Sequence, residues 1–341
     1  LMADWLCRQV RLPGLIGMLA VGVIFGPYAL GFLDPHLMAI GPDLRLIALI
    51  VILLRAGFEL SRRTLRRVGS RVLLLSFVPA VIEGVAIALA APRFFGLSPL
   101  EGAILGSVLA AVSPAVVVPM MIRFIQRGKG AKHGVPTMVL AAASLDDVFV
   151  IVVYSLLIGF YLGREVQMFR QLLGIPLSIL LGILVGLGMG RLLVRLFEHF
   201  NPRATKRVLI VIAGAILLIR VERLLEIWVP FAALVATMSI GFFILEHREG
   251  MAHEIAAKLA KIWVFAEIML FAMVGAQVNL DVVWQAGLAG AALIAIGILA
   301  RALGTWMCLA KSPLTPGERF FVVVAYTPKA TVQAAIGGAP L

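Results

Sequence analysis

Ala142-Ala143-Ser144-Leu145-Asp146-Asp147-Val148-Phe149-Val150 sets two adjacent carboxylates inside an apolar run that covers 134–161. At 1.5 Å of rise per residue, the pair lies about 18 Å along a helix starting at 134. A hydrocarbon core is about 30 Å thick, so that depth is close to its middle. An ionised Asp there costs about 2.5–3.5 kcal/mol on insertion scales, and such residues persist where they face a cavity, a partner or an ion path.

The rest of the chain has the composition of a membrane protein. Its 341 residues are 62% hydrophobic and 14% charged, with 33 glycines and a mean hydropathy of +1.05. Soluble domains run at about 45–50% apolar and about 25% charged. A water-soluble enzyme, a DNA-binding domain and a disordered tail are excluded. Eleven apolar segments follow: 13–33, 43–60, 71–95, 100–125, 134–161, 171–197, 206–224, 228–246, 260–280, 284–309 and 316–341. Residues 1–10 read as the tail of another helix. Strand-like alternation is absent, so the segments are expected to be helices with internally paired backbone. The chain opens on Leu1 and its last apolar run stops at Leu341. It is therefore expected to be a single transporter domain, 1–341, truncated at both ends. No cleavable signal peptide is visible, and Cys7 and Cys308 are too far apart in the chain to suggest a disulfide framework.

The net charge of +12 is an orientation signal rather than a nucleic-acid footprint, and no nucleic-acid partner is expected. Of the 30 basic residues, 21 fall before segment 1 or in the loops after segments 2, 4, 6, 8 and 10; six fall on the other side. The first group includes Arg62, Arg63, Arg66, Arg67 and Arg71, and is expected to be cytoplasmic. Arg55, Arg301 and Lys329 remain, all inside apolar segments.

Two stretches recur. Leu53-Leu54-Arg55-Ala56-Gly57-Phe58-Glu59-Leu60 resembles Phe271-Ala272-Met273-Val274-Gly275-Ala276-Gln277-Val278, and Ser113-Pro114 is matched by Thr327-Pro328. Seven segments separate the copies, so they point in opposite directions. Segments 1–5 then match 8–12, with the twelfth beyond Leu341, which is an inverted repeat of the kind found in transporters.

Ser113-Pro114-Ala115-Val116-Val117-Val118-Pro119 carries two prolines that are expected to break segment 4. Tyr326-Thr327-Pro328-Lys329 is expected to break segment 11 at Pro328. Broken helices at matching repeat positions point to a binding site near the midplane. Asp146 and Asp147 differ by about 100° around their helix, which argues against a shared-proton protease dyad. One can face a cavity while the other meets a cation, and a carboxylate tuned this way can exchange H⁺ for a hard cation. Glu83 and Arg301 lie inside repeat-mate segments and are expected to pair, in a structural or gating role. Arg55, Glu59 and Glu267 are expected to be structural, and His133, His199, His247 and His253 to be solvated loop residues. No metal-ligand spacing, nucleotide loop or nucleophile elbow is present.

The Leu145-Asp146-Asp147 run, Ala111–Pro119 and Pro328-Lys329-Ala330-Thr331-Val332-Gln333-Ala334-Ala335-Ile336-Gly337 resemble the cation/proton antiporter superfamily, closest to NHA-type sodium/proton antiporters and their bacterial relatives. The resemblance implies an all-α, multi-pass NhaA-like fold with an inverted repeat and two crossing discontinuous helices. It implies a core of 71–161 and 284–341, a dimerisation part of 13–60 and 228–280, and connecting helices at 171–224. By position, Asp147 looks like the carrier of cation (Na⁺ or Li⁺) and proton, Asp146 its charge-paired neighbour, and Ser113 a further ligand. Lys329, Arg301 and Glu83 take charge-pairing or gating positions. Arg301 stands where electrogenic bacterial members usually carry a lysine. The expected function is Na⁺ or Li⁺ exchange for H⁺ by elevator-type alternating access. The alternatives are K⁺/H⁺ exchange, a sodium-coupled organic-anion symporter on the same fold, or a cation channel. No enzyme activity and no cofactor beyond the transported ions is implied. A homodimer in the cell (inner) membrane is.

Overall fold

A computed structural model describes residues 2–9, 14–60, 62–162, 168–225 and 231–329. These residues form fourteen helices and, among themselves, no strand. In chain order they are α1 (Met2–Gln9), α2 (Gly14–Phe25), α3 (Pro35–Ala39), α4 (Gly41–Gly57), α5 (Arg62–Phe95), α6 (Pro99–Leu109) and α7 (Pro114–Gln126). After these come α8 (Val135–Tyr161), α9 (Met168–Phe200), α10 (Ala204–Leu225), α11 (Ala233–His247), α12 (Glu249–Ala276), α13 (Leu280–Leu309) and α14 (Pro316–Ala325). Six stretches among the described residues are long and apolar enough to cross a membrane: Val68–Phe95, Pro99–Gln126, Val135–Tyr161, Pro176–Phe200, Glu249–Ala276 and Leu280–Leu309. The protein is a multi-pass integral membrane protein.

The helices differ from the apolar segments mainly at their polar ends. Arg62–Arg71 was expected in a loop but forms the first turns of α5, and α12 starts at Glu249, taking in His253, Lys258 and Lys261. Hydropathy marks where a helix enters lipid, whereas Arg, Lys and Glu are good helix formers that carry it on into water. Segment 4 is two helices. Its break is the non-helical stretch between Ala110, the C-cap of α6, and Pro114, the first residue of α7. Pro119 is no break: it lies inside continuous α7, where only its own missing N–H is lost from the ladder. α14 ends at Ala325 and residues 327–329 are non-helical, so the helix of segment 11 stops before Pro328. The stretch from Ala330 to Gly337 lies outside the described residues.

Helix packing falls into two sets. In one, α5 packs against α6, α8 and α13; α7 packs against α8, and α14 against α13 and α8. In the other, α2 packs on α1 and α12, α4 on α11 and α12, α9 on α11, and α10 on α11 and α12. The sets meet where α7 touches α4 and where α8 touches α9 and α11. A large apolar core runs across that contact, from Ile50, Ile52 and Leu54 of α4 to Val118 and Ile122 of α7 and Leu140 of α8.

Glycine permits the closest crossings. Gly22 of α2 meets α12 at Ala272 and Ala276, and Gly275 of α12 packs on Leu19 and Gly22. Gly57 of α4 meets α11 at Met238 and Gly241 in the same manner. A Cβ at Gly57 would collide with the Met238 carbonyl oxygen. Small residues allow this backbone approach in lipid, where association depends on close packing. Gly57→Ala should therefore destabilise the detergent-solubilised protein by about 1–3 kcal/mol, the usual cost of overpacking. Gly188→Ala, in open space on α9, should be neutral or stabilising by up to about 1 kcal/mol. Thermal unfolding of both variants checks the contrast.

Candidate functional site

The helices α6 and α14 start alike. Ser98 caps α6, accepting from the Glu101 N–H while the Glu101 side chain accepts from Ser98 N–H. Thr315 and Glu318 make the same reciprocal box on α14. In both cases proline occupies the first turn, where its missing N–H costs nothing. From these anchored starts α6 runs 11 residues and α14 runs 10 before the backbone leaves the helix. There the two breaks touch: the Ser113 N–H donates to the Pro328 carbonyl at 2.9 Å.

Around this contact lies a buried ionic cluster. Arg301 of α13 is fully buried, and its Nε donates to Glu83 Oε2 of α5 at 2.5 Å. Its Nη2 donates to the carbonyl of Ala110, so a cation caps the C-terminal end of α6, where the helix dipole is negative. The same nitrogen lies 3.6 Å from Asp146 Oδ1, and the guanidinium sits 5.6 Å from the ring centroid of buried Tyr326. Asp146 Oδ2 accepts the Val112 N–H within the break at 2.8 Å. Lys329 Nζ, four residues past the end of α14, donates to Glu83 Oε2 at 2.6 Å. Glu83 thus accepts from two cations, and Arg301 serves α5, α6 and α8 at once.

Asp147 stands apart from this pairing. It is 6% exposed, and its Oδ1 has no hydrogen-bond partner among the described residues. One residue further round α8, it stands about 100° from Asp146 about the helix axis and makes no ion pair with Arg301 within 4 Å. The site therefore holds two carboxylates that are satisfied or charge-paired (Glu83 and Asp146), two cations (Arg301 and Lys329), and one carboxylate left over.

The structure brings together Asp146, Ser113, Pro114, Pro328, Lys329, Arg301 and Glu83, with Asp147 beside them. Pro119 lies in α7 away from the break. Sequence reading missed the Ala110 carbonyl, the Val112 N–H and Tyr326. Backbone groups carry no residue signature, and Tyr326 was visible only as the residue before Thr327-Pro328. The capping boxes were legible as [ST]-P-x-E at 98–101 and 315–318. His133 is not a solvated loop residue: its side chain is 20% exposed and its Nδ1 lies 2.8 Å from Glu318. His199, His247 and His253 are helical. Glu59 bonds Gln126 of α7 at 2.8 Å, which ties the end of α4 to the end of α7. Among the described residues no group of three or more His, Cys, Asp or Glu could hold a metal ion.

A polytopic all-α bundle in which the ends of α6 and α14 meet over buried charge has the antiporter fold. The whole chain, 1–341, matches the family described as sodium/hydrogen exchanger, transmembrane, and it belongs to that family. It is 31% identical over 347 residues to human sodium/hydrogen exchanger 9B2, covering 97% of this chain and 62% of that protein. It is 29% identical over 342 residues to human sodium/hydrogen exchanger 9B1, covering 96% and 63%. The chain thus spans less than two thirds of the length of these relatives. The sodium proton antiporter MjNhaP1 from Methanocaldococcus jannaschii has the same fold, with a TM-score of 0.79 at 22% identity, covering 98% of this chain and 81% of that one.

Removing one member of a buried ion pair leaves an unpaired charge, at a cost of about 3–5 kcal/mol. Arg301→Met strips both Glu83 and Asp146 and should be the most destabilising single change at the site. Glu83→Gln/Arg301→Met together should cost less than the sum of the two. Thermal unfolding in a double-mutant cycle reads the coupling, and strict additivity would contradict the pair.

Proposed function

We propose that this chain is the transport domain of a secondary antiporter that exchanges Na⁺ or Li⁺ for H⁺, with both competing for the Asp147 carboxylate. The observation that carries this reading is the charge balance at the site. Glu83 and Asp146 are offset by Arg301 and Lys329, so the ionised Asp147 leaves one uncompensated buried charge. Holding that charge bare in a water-poor interior is costly, and a proton or a monovalent cation relieves it equally in charge. Only one of the two can occupy the site at a time. The Ser113 hydroxyl and the carbonyls of the α6–α7 break supply neutral oxygen ligands for a hard cation, in addition to the carboxylate.

The same balance argues for one proton against one cation. Each loaded state is neutral, so the crossing step carries no net charge. The sets of packed helices support a division into a core of 71–161 and 284–341, which carries the ion, and a dimerisation part of 13–60 and 228–280. Helices at 171–224 connect them. In this reading the core slides against the dimerisation part in an elevator motion. An inverted repeat is supported by the paired capping boxes and by the glycine crossings. Exchanging segments 1 and 2 for 8 and 9 turns the Gly22–Gly275 contact into the Gly241–Gly57 contact. The strongly basic ends of the bundle are assigned to the cytoplasm by the positive-inside rule, in a homodimer of the cell membrane.

The test uses the full-length protein in proteoliposomes. A pH gradient should drive Na⁺ and Li⁺ exchange, and Asp147→Asn should reduce it to background. Clamping the membrane potential should leave the wild-type rate unchanged. Gradient-driven exchange in the Asn variant would overturn the carrier assignment, and a rate that follows the potential would overturn the one-to-one stoichiometry.

A further inference from the structure

A series of glycines holds α9 against α11. Gly182, Gly186 and Gly190 lie one turn apart on α9 and are buried. A Cβ at Gly182 would collide with Ala232, the N-cap of α11; one at Gly186 with Ala236 and Ser239; one at Gly190 with Phe243. The next position in the series is Val194, flanked by Arg191 and Arg195, and the close approach ends there. A cavity of about 390 Å³ lies between the end of α9, the end of α11 and the start of α12. That volume falls within the range of small-molecule sites, about 300–1,000 Å³. Its lining includes Arg191, Arg195 and Glu198 of α9, Phe243 and His247 of α11, and Arg248, the N-cap of α12.

The lining is cationic beyond its own means of compensation. Arg248 takes up Glu198, the one carboxylate there. Arg191 and Arg195 have no hydrogen bond or ion pair among the described residues. Like charges one helical turn apart repel. A forked guanidinium matches the oxygens of a phosphate, which it can hold through two parallel bonds. The outer face of α9 says what carries that phosphate. Leu177, Leu180 and Leu184 are exposed, and Gly188, with open space about it, continues the same helical stripe to Arg191 and Arg195. α9 has 33 residues, about 50 Å, against a hydrocarbon core of about 30 Å, so its last turns reach the headgroup layer.

We infer that this cavity binds the phosphate of an anionic phospholipid, with Arg191 and Arg195 as its ligands and an acyl chain along Leu184, Leu180 and Leu177. Basic recesses between membrane helices suit anionic head groups. The bound lipid offsets the repulsion between the two arginines and ties the end of α9 to α11 and α12. The site shares no residue with the Asp146–Asp147 cluster and does not rest on the antiporter reading.

Equilibrium binding of radiolabelled phosphatidylglycerol to the full-length protein, delipidated in detergent micelles, tests the site. Wild type should hold a tightly bound phosphatidylglycerol that excess phosphatidylcholine does not displace. Arg191→Gln/Arg195→Gln should weaken that binding by about tenfold or more, since two charge-assisted contacts are lost. Arg191→Lys/Arg195→Lys keeps the charge without the fork and should fall between the two. Lys258→Gln/Lys261→Gln removes two exposed cations from α12 at the same end and should bind like wild type. The glutamine pair at 191 and 195 breaks no contact within the protein, so its thermal unfolding without lipid should match wild type. Added phosphatidylglycerol should then raise the unfolding temperature of wild type alone. Equal affinity in wild type and Arg191→Gln/Arg195→Gln, or an equal loss in the lysine variant, would overturn the site. Displacement of the lipid by an equal concentration of inorganic phosphate would overturn the phospholipid as its occupant.

Discussion

The guanidinium of Arg301 donates to Glu83 on α5 and to the last carbonyl region of α6, and faces Asp146 on α8. It does so without access to water. A buried cation of this kind must find its partners inside the protein, because leaving it unpaired costs about 3–5 kcal/mol, a large share of the net stability of a typical domain. That requirement dictates much of the arrangement. α6 has to stop where its C-terminal carbonyl can meet Arg301. α8 has to present Asp146 toward α13, and α5 has to carry Glu83 to the same point. Once Asp146 is committed to Val112 and Arg301, the helical step sets Asp147 at another azimuth, where its Oδ1 has no hydrogen-bond partner among the described residues.

The interruption in α6–α7 is then part of the same constraint. Even a continuous helix would leave the Ala110 carbonyl without a partner, because its i+4 residue is Pro114, which has no N–H. The break also releases the Val112 N–H, and Arg301 and Asp146 take up the two groups. Contact with the second break, through Ser113 and Pro328, ties α14 and Lys329 to the same cluster. Non-helical backbone at membrane depth persists where protein or a cavity surrounds it, and here it is buried among ionised groups.

Much of this was legible in the sequence. The Asp pair declared itself by its depth in an apolar run. Glu83, Arg301 and Lys329 stood out because charge is rare in such segments. Pro114 and Pro328 marked the interruptions, since proline ends a ladder wherever it stands. The same rule overreached at Pro119, which a helix tolerates because a single lost N–H near the first turns is a local defect. The polar helix ends at Arg62 and Glu249 were misplaced because hydropathy follows the membrane rather than the hydrogen-bond ladder. His133 was read as solvated because nothing in the local sequence points to Glu318, 185 residues away. Long-range pairing is set by the tertiary fold. It shows in a sequence only where burial forces it, as with Glu83 and Arg301.

In the proposed cycle, one lone carboxylate beside a neutral cluster is contested by one proton and one cation. Counting the protons released per Na⁺ bound, with a pH electrode in weakly buffered solution of the full-length purified protein, tests it most directly. The account predicts close to one proton per Na⁺ while Asp147 is protonated, falling toward none as pH rises and the carboxylate empties. Saturable Na⁺ binding that releases no proton at any pH, or that releases two, would contradict it.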